Sequence, residues 1–330
     1  MIKNLKIENF KSIKSVEIDC KKINVFIGEP NTGKSNILEA LGLISFVQYF
    51  GKYIGGNSSD VLKKFVRFKY IQDLFFNKDV SKEVIVSFPE EVFKINQVSI
   101  SSFALTFNNQ NLVSFDNVGN LNSPFQQFQS KYDIKFFRYF YRINFPSKLS
   151  GGLLPPDGEN LVEAIRTNPE LMDLIGELLR DFGYELLLRE TEGEIEIVRK
   201  FRATLLSYPY NSISDTLQRL IFYLTAIKTN KNSVLVFEEP EAHSFPYYVS
   251  SLSEIIANDT NNNQYFISTH NPYFLISLLE KTAYEDINVF ITKLEEYETK
   301  LFKVSEKGIK EMLSLDKDLF LNLDEFINKK

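Results

Sequence analysis

The chain has no tryptophan, one cysteine (Cys20) and two histidines (His243 and His270). A single thiol excludes an intramolecular disulfide and suits a reducing compartment, so a cytoplasmic protein is expected. No apolar run reaches the roughly 20 residues that a membrane-spanning helix requires, which argues against a membrane protein. No secretory leader is read at the start, because MIKNLKIENF carries Ile2, Leu5 and Ile7 in the manner of a strand. With tryptophan missing, the 30 phenylalanines are read as core packing and not as a platform for stacked bases. A strong excess of either charge is also missing: the formal charge is −5 and the pI near 5.4, so no overall field draws nucleic acid or acidic membranes. Locally, Lys63, Lys64, Arg67 and Lys69 make a basic run, ordinarily a solvated face, which keeps DNA open as a partner. What is present is apolar bulk: 330 residues, 44% hydrophobic and 25% charged, enough for one large α/β domain or two lobes.

Residues 28 to 35 read GEPNTGKS, the P-loop pattern of a glycine, four residues and Gly-Lys-Ser. Its context fits: INVFI upstream is an apolar, β-branched strand, and Ile37, Leu38 and Leu41 downstream share a helical stripe. A helix N-terminus offers unpaired N–H groups and partial positive charge, so the backbone can wrap a phosphate while Lys34 adds a point charge and Ser35 suits Mg²⁺. The expected nucleotide contacts are Gly28, Asn31, Thr32, Gly33, Lys34, Ser35 and Asn36.

Two further constellations fall where strands end. In SVLVFEEPEAHSFP the apolar run Val234 to Phe237 leads to Glu238 and Glu239, and open parallel sheets bind ligands at such carboxyl ends. Neighbouring residues on a strand face opposite ways, so both acids can serve one site only where the strand stops, as Pro240 dictates. One carboxylate then suits the metal and the next the attacking water. In NNNQYFISTHNPYFL a second buried strand ends at Thr269-His270-Asn271, putting His270 on the same sheet edge.

Together GEPNTGKSN, VFEEPEAH and ISTHNP resemble the Walker A, Walker B and histidine-switch motifs of ABC-type ATPases in the RecF, SMC and OLD group, stand-alone members of which are described as AAA-family ATPases. IKNLKIENFKSIKSVEI resembles that group's opening strand pair, and LLPPDGENL at 153 to 161 a segment of its stand-alone members. The resemblance implies ATP and Mg²⁺ as cofactors, Lys34 and Ser35 holding nucleotide and metal, Glu238 in place of the usual aspartate, Glu239 as general base and His270 at the γ-phosphate. It also implies a dimer that closes on two nucleotides, with a signature helix reaching the partner's ATP. The candidate is NSISDTLQRLIFYLTAI at 211 to 227: either Asp215 is turned back in a Ser212–Asp215 capping box while Ser212 or Ser214 meets the opposite phosphate, or the segment is only a helix start. The family's Ser-Gly-Gly turn is absent there. Gln72 stands nearest to the family's metal-contacting glutamine, with a plain surface role equally open.

The fold expected is an α/β P-loop NTPase, an ABC-type head with a mostly parallel core sheet, an antiparallel β subdomain and a small helical lobe. One head spans 1 to 330: strands, Walker A and antiparallel part to about 145, helical lobe about 146 to 210, signature helix onward from about 211. EVIVSF and VSISSFALTF suggest antiparallel strands, and LVEAIRTNPELMDLIGELLRDF a helical stretch. No sustained heptad supplies a long SMC arm, and the 60 residues after His270 read as two strands and a helix, with Asp316, Asp318 and Asp324 as caps or solvated groups. Arg138 and Arg142 suit phosphate or, more ordinarily, internal ion pairs, and His243 a structural or dimer-face role. The function expected is Mg²⁺-dependent ATP hydrolysis by a homodimer that drives or gates an effector in trans, in DNA maintenance or defence. A slow or non-hydrolysing ATP-gated module is the alternative, and a transporter subunit a second one.

Overall fold

The structure is a computed structural model, and residues 1–50, 58–123, 125–315, 320 and 322–327 are described. Asn4–Phe10 (β1) and Ile13–Asp19 (β2) form an antiparallel hairpin whose Leu5, Ile7 and Phe10 turn inward. Ile23–Gly28 (β3) follows, buried throughout, and runs through the phosphate loop into Lys34–Tyr49 (α1) and then Ser58–Phe65 (α2). Val84–Phe88 (β4), Glu91–Ser99 (β5), Ser102–Phe107 (β6) and Gln110–Asp116 (β7) extend the first hairpin into an antiparallel sheet of order β2-β1-β4-β5-β6-β7. The segment VSISSFALTF is not one extended stretch. It folds back between Ser99 and Ser102, with Ile100 exposed at the tip.

A second sheet is built from Ile134–Phe137 (β8), Val234–Glu238, Gln264–Ser268, Ile287–Glu295 and Glu298–Lys303, with β3 among them. Before those later strands come Leu161–Arg166 (α3), Pro169–Arg180 (α4) and a small antiparallel sheet of Glu185–Arg189 (β9), Glu194–Phe201 (β10) and Thr204–Pro209 (β11). The lobe expected to be helical is therefore helical only as far as Arg180. Its helix is also broken in two, because Pro169 has no N–H to continue α3 and starts α4 under an Asn168 cap accepting from Leu171 N at 3.1 Å.

Asp215–Thr229 (α5) leads into Val234–Glu238 (β12), Pro246–Ala257 (α6), Gln264–Ser268 (β13), Pro272–Lys281 (α7), Ile287–Glu295 (β14), Glu298–Lys303 (β15), Glu306–Leu315 (α8) and Asp324–Ile327 (α9). The core sheet has the order β15-β14-β3-β13-β12-β8, parallel except for the edge strand β15. It is the middle layer. Val25 and Ile27 face the side covered by α3 to α8, whereas Phe26 faces α1 and, beyond it, the antiparallel sheet. Strands covered on both faces read as unbroken apolar runs, which is why VLVF and YFI lack alternation. Asp316 and Asp318 lie outside the described residues, while Asp324 pairs with Lys293 at 2.5 Å. Among the described residues no helix is long and apolar enough to cross a membrane.

Candidate functional site

The carboxyl ends of β3, β12 and β13 lie side by side, because β13 is hydrogen-bonded to both of the others. A cleft of about 530 Å³ opens there, lined by the phosphate loop from Pro30 to Asn36 together with Ser12, Arg67, Glu239, His270, Leu294 and Tyr297. Gly33 caps α1 with φ at 100°, and a Cβ there would stand 2.0 Å from the Thr299 hydroxyl. Only glycine tolerates both that backbone and that approach. The Thr32 hydroxyl bonds the Glu29 carbonyl at 2.8 Å and Thr292 Oγ1 at 2.6 Å, and Asn36 donates to Ser12 Oγ at 2.7 Å, which in turn meets Thr299 Oγ1 at 2.6 Å. The side chains of Thr32 and Asn36 thus brace the loop against β14 and β15, and their backbone groups remain for a ligand. Asn31 is exposed with φ at 63°.

Lys34 is buried and donates to the carbonyls of Gly28 at 2.9 Å and Glu29 at 2.7 Å. Burial pushes its pKa down to about 8, against the pull of Glu239 and Glu29. Among the described residues it has no ion pair. A buried cation spent on carbonyls at a helix start is a fitting partner for a polyphosphate.

Glu238 and Glu239 differ sharply in setting. Glu238 accepts from Arg67 Nη2 at 2.9 Å and from Arg138 Nε, with Ser35 beside it in the lining of a neighbouring pocket. Burial pushes its carboxyl up, but Arg138, Arg67 and Ser35 outweigh it and the net shift is downward. Glu239 instead has φ at 43°, which swings it off the strand line and leaves its side chain 42% exposed, 3.4 Å from His270 Nε2. Burial and the Lys34 charge lower the pKa of His270, opposed by Glu239, so a neutral imidazole faces the carboxylate at neutral pH.

Several contributors were not visible in the motifs. Glu39 on α1 is fully buried and binds Lys11 Nζ, Arg67 Nε at 2.6 Å and Arg138 Nη2 at 3.1 Å, linking α1 through Arg138 to Glu238. Its signal in the sequence is an acid within the apolar run NILEALGLI, off the stripe of Ile37, Leu38 and Leu41. Glu241, the third acid of EEPEAH, is 3% exposed and accepts from the Thr269 hydroxyl. Arg142 pairs with Asp157 at 2.7 Å, and Lys64 with the same carboxylate at 2.8 Å. The basic run and the 153 to 161 segment are thereby tied together inside the fold.

The remaining expected residues lie elsewhere. Gln72 is exposed on a short 3₁₀ turn, Ile71–Leu74, and does not line the cleft. Ser212 and Ser214 are exposed at the approach to α5, also outside it. The Ser212–Asp215 capping box does not form: Ser214 caps α5 by accepting from Leu217 N at 3.4 Å, and Asp215 pairs with Arg219 at 2.6 Å, one helical turn on. His243 is exposed, and its carbonyl accepts from the Thr216 hydroxyl at 3.2 Å, joining the turn after β12 to the start of α5.

Residues 1–137 match the family described as AAA ATPase domain, a span that holds the phosphate loop but not the paired acids or His270. The DNA replication and repair protein RecF of Clostridioides difficile is 22% identical over 316 residues, covering 89% of this chain and 73% of that protein. An Smc head bound to the C-winged helix domain of ScpA has a TM-score of 0.57 at 16% identity, over 94% of this chain and 99% of that one. An Smc head domain with an extended coiled coil, bound to the C-terminal domain of ScpA derived from Pyrococcus furiosus, has a TM-score of 0.54 at 15% identity, over 96% and 99%. At such identities the structural likeness speaks for the fold alone.

Proposed function

We propose that this chain is an ABC-type ATPase of the RecF and SMC group, and that it hydrolyses ATP with Mg²⁺ in the cleft, as a head-to-tail dimer that drives or gates a partner. The observation that carries the chemistry is the convergence of Lys34, Glu239 and His270 on one cleft, with Glu239 and His270 3.4 Å apart. Lys34 and the loop N–H groups grip the phosphates. Ser35 and Glu238 are the residues that would hold the metal, a hydroxyl and a carboxylate that line the same pocket. Mg²⁺, when bound, supplies charge neutralisation on the phosphate oxygens. Both Glu238 oxygens carry guanidinium partners, so Glu238 turns to a cation only as the more exposed Arg67 yields.

Glu239 takes the proton of the attacking water, having no Lys or Arg ion pair among the described residues, and His270 donates to the γ-phosphate from its neutral form. Changing Glu239 to Gln keeps size and polarity but removes the base, so turnover should fall roughly hundredfold or more while ATP affinity by calorimetry stays level. Unchanged turnover would overturn the assignment.

Across the dimer, Ser212 and Ser214 are proposed to meet the partner's nucleotide, since they are exposed at a helix start and outside their own cleft. DNA maintenance or defence, with an effector protein acting in trans in the cytoplasm, is the process proposed. Support comes from relatives described as a DNA replication and repair protein and as Smc heads bound to ScpA. Direct DNA contact through the basic run is not favoured, because Lys64 and Arg67 are already ion-paired within the fold.

A further inference from the structure

The turn after β12 and the segment after β13 are tied at more than one point. Glu239 N donates to Ser268 O at 3.0 Å, and Thr269 N to Phe26 O at 3.1 Å, so both segments hang on neighbouring strands. One side-chain link between them is Glu241, whose Oε1 accepts from the Thr269 hydroxyl. That hydroxyl oxygen also accepts from Asn271 N at 3.0 Å, and Asn271 caps α7 through Tyr273 N at 2.9 Å and Phe274 N at 3.3 Å. His270 sits inside this chain of bonds, between Thr269 and Asn271, while Glu239 sits two residues before Glu241.

We propose that Glu241 is a positioning residue that sets the separation of Glu239 and His270 by clamping the turn of the first to the segment of the second. A carboxyl is a costly choice for packing alone. Glu241 is 3% exposed, and its Oε2 is buried without a hydrogen-bond partner, a penalty that an apolar residue of similar size would avoid. The turn bears further signs of constraint: Glu239 and His243 both have positive φ, at 43° and 60°, and Ser244 N returns to Glu241 O at 3.0 Å. Burial, with Glu239 nearby, pushes the Glu241 carboxyl up to about 7, against the Thr269 bond, so at neutral pH it is substantially protonated and an amide can replace it.

The inference rests on the reading of His270 as a γ-phosphate contact, and the test separates the two. ATP turnover, ATP affinity by calorimetry and melting temperature are measured for Glu241→Gln, Glu241→Ala and Thr269→Val, each with His270 intact and with His270→Ala. Glu241→Ala and Thr269→Val should each lower turnover about tenfold or more, since a misplaced reacting group costs rate before affinity, with ATP affinity unchanged. Glu241→Gln, which keeps an acceptor for Thr269, should restore most of the rate. In the His270→Ala background neither Glu241→Ala nor Thr269→Val should slow turnover further. Multiplying losses there, or a Gln variant as slow as Ala, would overturn the positioning role while leaving His270 its own. If His270→Ala turns over normally, the γ-phosphate reading fails and the positioning role with it. If Glu241→Ala does not fold, Glu241→Gln and Thr269→Val still decide the matter.

Discussion

Lys34 is buried with its charge spent on two carbonyls, and its pKa is pushed down to about 8 by burial. A phosphate would relieve that position, because a hydrogen bond to a charged group is worth about 1.5–3 kcal/mol. Lys34→Ala should therefore weaken ATP binding roughly ten- to hundredfold without lowering the melting temperature, by calorimetry and thermal denaturation. Equal affinity would remove the phosphate-loop reading. Glu241 offers a prediction of a different kind. Its folded carboxyl titrates near 7 while the unfolded one titrates in the usual range, so between those values the folded state holds the extra proton. Stability must then fall as pH rises through that window, since the unfolded state binds fewer protons. Glu241→Gln has no such proton to lose. Its melting temperature relative to the wild type should rise between pH 5 and pH 8, and a constant difference would show that the carboxyl is ordinary.

At the scale of elements, α5 is where local signals and outcome diverge most. Its capping chemistry fits either Ser212 or Ser214, and the chain settles on Ser214, with Asp215 drawn away to Arg219. Asp215 is thereby partly neutralised, which lessens its repulsion of an approaching phosphate. The proposed dimer predicts that Glu239→Gln protein shifts from monomer toward dimer on adding ATP, measured by light scattering. Adding Ser214→Arg should abolish the shift while each copy still binds ATP, because the new side chain stands where the partner's phosphate loop must come. Loss of the cap alone would cost only about 1 kcal/mol, too little to mimic that outcome by unfolding. A double variant that dimerises like its parent would sink the signature-helix assignment. Elsewhere, β8 and the sheet β9 to β11 escaped sequence reading: β8 is four residues long, and although EIEIV of β10 alternates, its neighbours ELLLR and TLLSYP carry no period of two in sequence.

Over the whole molecule the strand order interleaves the chain. β3 lies between β13 and β14, whose residues come more than two hundred positions later, and the neighbours of its Ile23 are Tyr265 and Ile287. Residues 1–137, the span of the AAA ATPase match, thus contain the phosphate loop but neither neighbour of the strand that carries it. Expressed alone, that fragment should show no cooperative unfolding transition in denaturant, because β3 would have two open edges and the apolar face of Val25 and Ile27 would be bare. A sharp transition would mean that the antiparallel sheet and α1 suffice as an independent unit. The same interleaving brings Glu39, Arg138 and Glu238 into one buried ion cluster, in which the loss of one partner strands the others.

By itself the sequence determined the phosphate loop, the acid pair at a strand end, the histidine at the next strand end and the apolar strands between. Each depends on residues adjacent in the chain, where backbone geometry and hydrophobic period act directly. Only the tertiary structure decided which groups neighbour those motifs. Glu39 with its three cations, the brace of Thr32 on Thr292 and the clamp of Glu241 on Thr269 all join residues far apart in sequence or on different strands. Such pairings are fixed by sheet order and by the need of each buried polar group for a partner, and neither is written in the spacing of any one segment.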